Sequence, residues 1–302
     1  MKRVGKHKKE RSIKDGFNIQ YSDQVRLLSQ AINLTEMEDF LLKYSQFPTK
    51  FFLSKWSHDA SEWLYNYIQL KVKDSNYTGK AEVSRFEHLF DQNSIIVRID
   101  GKDEVLKKEI VILGSHLDSI NDDNPIDGAA PGMDDNASGM ACNLQVLNII
   151  LKNNIQLKRS LEFHFYAAEE VGLLGSYSVA YDYFKKDKKV TGMIQMDMIG
   201  HLSKNNAIAI INDYTDKGLN LILAALIQHY LDYSYTIIEC GYECSDHAAW
   251  DFFGFPSSFP TEDYENPFKH TKVDDLSHIN LIHFKEFTKL ALAFAVELSI
   301  IR

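Results

Sequence analysis

Ile110-Val111-Ile112-Leu113-Gly114-Ser115-His116-Leu117-Asp118-Ser119 is an apolar run that ends in an imidazole and a carboxylate. A strand from Glu109 to Leu113 with apolar residues on both faces reads as a core strand, covered on two sides. In open α/β sheets the ligand crevice lies outside the carboxyl ends of the strands, which is where this run delivers His116. His116 and Asp118 are two apart on an extended chain and point the same way. The carboxylate can therefore fix the tautomer of the ring or share its ligand duty. Alone the pair is weak evidence, because a hydrogen-bonded structural histidine explains it as well.

Outward from this strand, acids recur at the ends of other apolar runs. Leu161 to Ala167 is β-rich and is followed by Glu169-Glu170, and Thr191 to Met196 is followed by Asp197. Asp134-Asp135-Asn136 occupies a glycine-containing loop ahead of a helical pattern from Ser138 to Leu151, and His270 lies in the loop Glu265 to Thr271. Such a set of oxygen and nitrogen donors cannot stay charged and close without cations. Imidazole with carboxylate suits zinc and, less selectively, manganese or cobalt. Two dications carry four positive charges, which three carboxylates and one hydroxide balance. Taken singly, each acid also has a plain explanation as a turn residue or helix cap. The joint pattern is what points to a metal centre.

The remaining elements alternate. Helical spacing runs over Asp23 to Lys43, Asp59 to Val72, Gly175 to Phe184 and Leu219 to Leu231, and closes in an amphipathic helix from Leu281 to Ile301. Extended runs cover Ser94 to Asp100, Ala207 to Ile211 and Tyr235 to Glu239. Asp100-Gly101-Lys102-Asp103 reads as the turn of a hairpin between the Ser94 strand and the His116 strand. The expected fold is α/β, a single globular domain with a mixed, mostly parallel twisted sheet flanked by helices on both faces. No internal repeat, low-complexity tract or Pro/Gly linker interrupts it.

The chain has 302 residues, 45% hydrophobic, enough for one large core. Seven basic residues against Glu10 give the first fourteen positions a net charge of +6; subtracted from the overall −9, this leaves −15 for the remainder. An acidic body excludes nucleic acid as a partner class. No apolar run is long enough to cross a bilayer, and the basic start lacks the apolar stretch of a secretory signal. Residues 1–20 are expected to be a basic, disordered tail and 21–302 the domain. Of the three cysteines, Cys142 falls in a helical pattern and reads as a small buried residue. Cys240 and Cys244 are close enough in sequence to bridge in a tight loop, although two free thiols or a soft-metal site also fit. His58, His88, His164, His201, His229, His278 and His283 lack an acidic strand-end setting and read as core or surface residues. Asp246 reads as the cap of a short helix, with His247 as packing.

Five segments together resemble the dizinc aminopeptidases of the M28 class, most nearly the secreted bacterial leucyl aminopeptidases. They are Gly114 to Ser119, Ala130-Pro131-Gly132-Met133-Asp134-Asp135-Asn136-Ala137-Ser138-Gly139, Ala167-Ala168-Glu169-Glu170-Val171-Gly172-Leu173-Leu174-Gly175-Ser176, Gln195 to Met198, and Cys240-Gly241-Tyr242-Glu243-Cys244-Ser245-Asp246-His247. The resemblance implies a zinc-dependent exopeptidase fold and two zinc ions bridged by Asp135. His116 and Asp197 would complete one site, and Glu170 and His270 the other. It further implies Glu169 as the general base and Asp118 as the partner that orients His116. Cys240 and Cys244 would form a disulfide beside a specificity pocket lined by Met198, Ile211, Tyr242 and Phe259. The implied reaction removes N-terminal, preferably large hydrophobic residues from peptides with a free N-terminus. A secreted or periplasmic monomer acting without a membrane partner is the expectation. Rival readings are a single-zinc acyltransferase resembling glutaminyl cyclases, a carboxypeptidase, and a binding ectodomain without catalysis. The loop from Thr261 to Asn266 is shorter and more acidic than the resemblance would suggest.

Overall fold

Along the strand that carries His116, Ile110 and Ile112 belong to one buried cluster while Val111 and Leu113 belong to another. Alternation by two thus serves two separate cores, one on each face of the sheet. The computed structural model describes residues 17–201, 205–263 and 266–300. In chain order its elements are α1 (Ser22–Ser29), α2 (Leu34–Tyr44), α3 (Ser57–Asp74), β1 (Ala81–Phe86), β2 (Ser94–Ile99), β3 (Glu109–His116), α4 (Gly139–Lys152) and β4 (Ser160–Tyr166). There follow α5 (Leu174–Lys185), β5 (Lys189–Gln195), β6 (Ala207–Ile211), α6 (Lys217–Tyr230), β7 (Ser234–Ile238), α7 (His247–Phe252), β8 (Ser257–Ser258), β9 (Pro260–Glu262) and α8 (Leu281–Ile300).

The main sheet has six strands in the order β1-β2-β4-β3-β5-β8, parallel from β4 through β8 and antiparallel at β1 and β2. A second sheet orders β7-β6-β9. Helices α4 and α8 cover one face of the main sheet, with α2 packed on α4, while α5 and α7 cover the other. This is the two-sided α/β architecture expected from the alternation of elements.

Four expectations are corrected. The hairpin between β2 and β3 does not form, since β4 lies between them and β2 pairs with β1 instead. Gly101 is a close-approach glycine: a Cβ there would sit 2.1 Å from the Lys158 carbonyl oxygen. The single opening helix is two, because the Asn33 side chain accepts the Glu36 N–H at 3.2 Å and starts α2 afresh. Helix α8 is buried almost all round, so it is a core helix and not an amphipathic one. The basic tail ends earlier than residue 20. Phe17 and Ile19 pack against the core, and the Gln20 and Tyr21 N–H groups each donate to the Glu297 carboxylate at 3.0 Å. Residues 1–16, the rest of that tail, lie outside the described residues. Among the described residues no helix is long and apolar enough to cross a membrane.

Candidate metal centre

The carboxyl ends of β4, β3 and β5 lie side by side, so the residues that follow them converge on one edge. His116 ends β3 in the middle; Glu169 and Glu170 follow β4 on one side and Asp197 follows β5 on the other. Asp135 enters from the turn Met133–Ser138 that leads into α4, and His270 from the loop after β9. All five predicted ligands therefore meet, although His116 and His270 are 154 positions apart in the chain.

Asp135 divides its oxygens between two imidazoles. Its Oδ1 lies 3.0 Å from His116 Nε2 and its Oδ2 lies 3.1 Å from His270 Nε2. Asp197 Oδ1 is 3.4 Å from the same nitrogen of His116, and Glu170 Oε2 is 3.0 Å from that of His270. These approaches are short, yet both ring nitrogens of His116, Oε1 of Glu170 and Oδ1 of Asp197 are buried without a hydrogen-bond partner. Buried polar atoms left in this way are costly unless something else satisfies them. Donor atoms of His116, Asp135 and Glu170 lie within 4.8 Å of one another, as do those of His116, Glu169 and Asp197. Imidazole nitrogens and carboxylate oxygens turned inward at this spacing fit a metal ion.

The electrostatics agree. Burial works against a charged His270 ring, but the Asp135 and Glu170 carboxylates push it up to about 11. Burial, with the Asp135 charge beside it, pushes Glu170 up to about 8. Burial also raises Glu169 well above the ordinary carboxylate range, opposed by His116 and reinforced by Asp246, Glu170 and Asp197. Without cations this edge holds protons instead.

Asp118 sits 3.5 Å from His116 Nδ1, close but not hydrogen-bonded. Its oxygens instead accept the N–H groups of Glu169 at 3.0 Å and Glu170 at 3.2 Å. It ties the β3 end to the loop bearing both glutamates. His270 Nδ1 lies 3.3 Å from Asp122 Oδ1, which orients that ring.

Reading the sequence missed the residues that hold the predicted ligands in place. Asp274 accepts the N–H groups of both Asp134 and Asp135 at 3.0 Å. Ser245 donates to Asp197 Oδ2 at 2.6 Å, and Gln195 donates to Ser245 Oγ at 3.1 Å and to Asp246 Oδ2 at 2.7 Å. Asp246 makes no capping hydrogen bond to α7, so its reading as a cap is corrected. His247 does pack, its ring 4.9 Å from that of Phe259. His164 is structural, bonded to Glu162 and Tyr166.

Of the four predicted pocket residues, Ile211 donates its N–H to the Phe259 carbonyl at 2.9 Å, and Thr261 Oγ1 bonds the carbonyls of both Asp197 and Met198. Ile211 and Phe259 are nearly fully buried, whereas Met198 is half-buried and Tyr242 is 60% exposed. Tyr242 stands on a loop closed by the Cys240–Cys244 disulfide and anchored where the Cys240 and Gly241 N–H groups meet the Asp213 carboxylate. Cys142 is buried and unpaired, as expected.

A model of peptidase family M28 matches residues 94–295. The chain is 35% identical over 295 residues to leucine aminopeptidase 1 of Penicillium rubens, a match covering 93% of this chain and 76% of that protein. Among solved structures, the LapA aminopeptidase of Legionella pneumophila superposes with a TM-score of 0.87 at 29% identity, covering 95% of this chain and 77% of that one. LapB of the same organism gives 0.86 at 29%, covering 95% and 78%.

Proposed function

The chain belongs to peptidase family M28 and is a metal-dependent aminopeptidase, and we propose that it binds two zinc ions with Asp135 shared between them. The observation that carries the proposal is the division of the Asp135 oxygens between His116 and His270. His116 and Asp197 would hold one zinc with it, and Glu170 and His270 the other. When bound, zinc supplies Lewis acidity toward a carbonyl oxygen and makes water a nucleophile near neutral pH.

The protein's own groups do the rest. Glu169, held in place by the Asp118 carboxylate at its N–H, accepts the proton of the attacking water and passes it to the departing amine. A carboxypeptidase would need a cationic group to hold the substrate's carboxylate, and Tyr242 and Phe259 supply none. Met198, Ile211, Tyr242 and Phe259 would offer apolar surface to the first side chain, Ile211 and Phe259 being joined through the main chain. One methylene in such a pocket discriminates by about 1–3 kcal/mol, so the preference is broad, with Leu, Met and Phe ahead. Asp135, with one oxygen toward His116 beside Asp197 and the other toward His270 beside Glu170, favours two metals over the single zinc of a cyclase-like acyltransferase. The disulfide supports a secreted or periplasmic location.

The test is a panel of aminoacyl anilides with and without a strong chelator. Leucine, methionine and phenylalanine anilides are expected to be hydrolysed, chelation to abolish the activity and zinc to restore it. Hydrolysis that a strong chelator leaves untouched would overturn the metal mechanism.

A further inference from the structure

Lys50 is completely buried, an uncommon place for an ammonium group. Its Nζ donates to the carbonyls of Pro131 at 2.7 Å and Ala130 at 3.2 Å, and lies 5.3 Å from the centre of the Tyr44 ring. Ala130 and Pro131 open the segment that runs to Asp134 and Asp135. The main chain of Lys50 reaches the start of the same connection and the loop after β4. Its N–H donates to Ser119 Oγ at 3.3 Å, and that hydroxyl donates to the Ala130 carbonyl at 2.9 Å. Its carbonyl accepts from Gln92 Nε2 at 2.8 Å, while Gln92 Oε1 accepts the Ala168 N–H at 3.1 Å, next to Glu169. Tyr44, whose ring faces the ammonium, donates its hydroxyl to the Leu117 carbonyl at 2.8 Å, between His116 and Asp118.

One residue between α2 and α3 thus meets, directly or through a single neighbour, both ends of the connection from β3 to α4 and the loop that follows β4. Burial pushes the ammonium down to about 7, against the pull of Asp274, Asp118 and Glu170. A methionine would fill the same space without this desolvation cost. What it would lose is the grip on two carbonyls.

We propose that Lys50 is a positioning residue of the metal centre: it fixes, from the helical layer, the relative placement of the loops that carry His116, Asp135 and Glu169-Glu170. The proposal rests on the reading of those residues as ligands and base. It is tested by titrating zinc against a chromophoric chelator in the full chain and in Lys50→Met, Lys50→Arg and Tyr44→Phe, with thermal unfolding of each metal-free protein.

Lys50→Met is expected to unfold at or above the temperature of the parent, because replacing a buried charge by an apolar residue of similar volume is often neutral or stabilising. Its zinc affinity is nevertheless expected to fall about ten- to a hundredfold, the usual effect of losing support behind a ligand, with Lys50→Arg recovering part of it. Zinc affinity in Lys50→Met within about twofold of the parent would overturn the proposal. Should Lys50→Met not fold, Tyr44→Phe decides: it removes one hydroxyl from the same clamp, weakened zinc binding supports the proposal, and unchanged binding overturns it. A parent chain that does not bind zinc would instead refute the metal-site reading itself.

Discussion

Glu169 has no imidazole partner at the approach distances that pair Asp135, Glu170 and Asp197 with His116 and His270. Burial raises its affinity for a proton, which suits the proposed role of taking a proton and releasing it within one turnover. Glu169→Gln keeps the shape and the Asp118 contact, which is made through the main chain. It is expected to bind zinc as the parent does and to lose about 10²–10⁴-fold in kcat, the usual contribution of a positioned base. Turnover near that of the parent would assign the base elsewhere. Glu169 and the five proposed ligands were legible because each is an acid or histidine in a short motif, four of them just beyond an apolar run. Asp274, Ser245, Gln92 and Lys50 were not. Most of their partners are main-chain amides and carbonyls far along the chain, 139 residues in the case of Asp274 and Asp135, and no local pattern reports such a contact.

Between elements, the critical contact is that of α4 with the end of β5. Gly139 opens the helix so close to the β5 end that a Cβ would lie 2.0 Å from the Met196 carbonyl oxygen and 2.5 Å from Asn136 Oδ1. Asn136 closes the joint by donating to the Met196 carbonyl at 3.0 Å and accepting the Gly139 N–H at 3.0 Å. The turn bearing Asp135 and the chain leading to Asp197 are in this way held together. Gly139→Ala must push them apart, and overpacking of this kind costs about 1–3 kcal/mol. Thermal unfolding and zinc titration of the variant are expected to show both lower stability and weaker binding; parental values for both would show that the joint has slack. At this scale most helices and strands could be read from periodicity, but not their neighbours. Nothing local to β2 records that β4 comes between it and β3. Likewise the short exposed edge strand β1, half of whose residues face solvent, carries too weak an apolar pattern to be noticed.

In the molecule as a whole, three histidines are buried away from partners that would keep them charged. Burial pushes His88 and His283 down to about 4 and His247 to about 3. They are neutral in the folded chain and titrate near their ordinary value of about 6.5 when it unfolds. The folded state is therefore favoured fully above pH 6.5 and loses that advantage as the pH falls toward 4, because only the unfolded chain takes up the protons. For His283, with both ring nitrogens unbonded and its ring 4.9 Å from that of Phe287, the loss comes to about 3 kcal/mol. His283→Phe is expected to flatten the fall in unfolding temperature between pH 6.5 and 4 relative to the parent, and parallel curves would refute the assignment. The most direct measurement of all is the location of zinc in a crystal of the loaded protein by its anomalous scattering. Two peaks per chain are expected, one between Asp135, His116 and Asp197 and one between Asp135, Glu170 and His270. A single peak, or peaks whose ligands do not include Asp135, would contradict the shared-carboxylate centre.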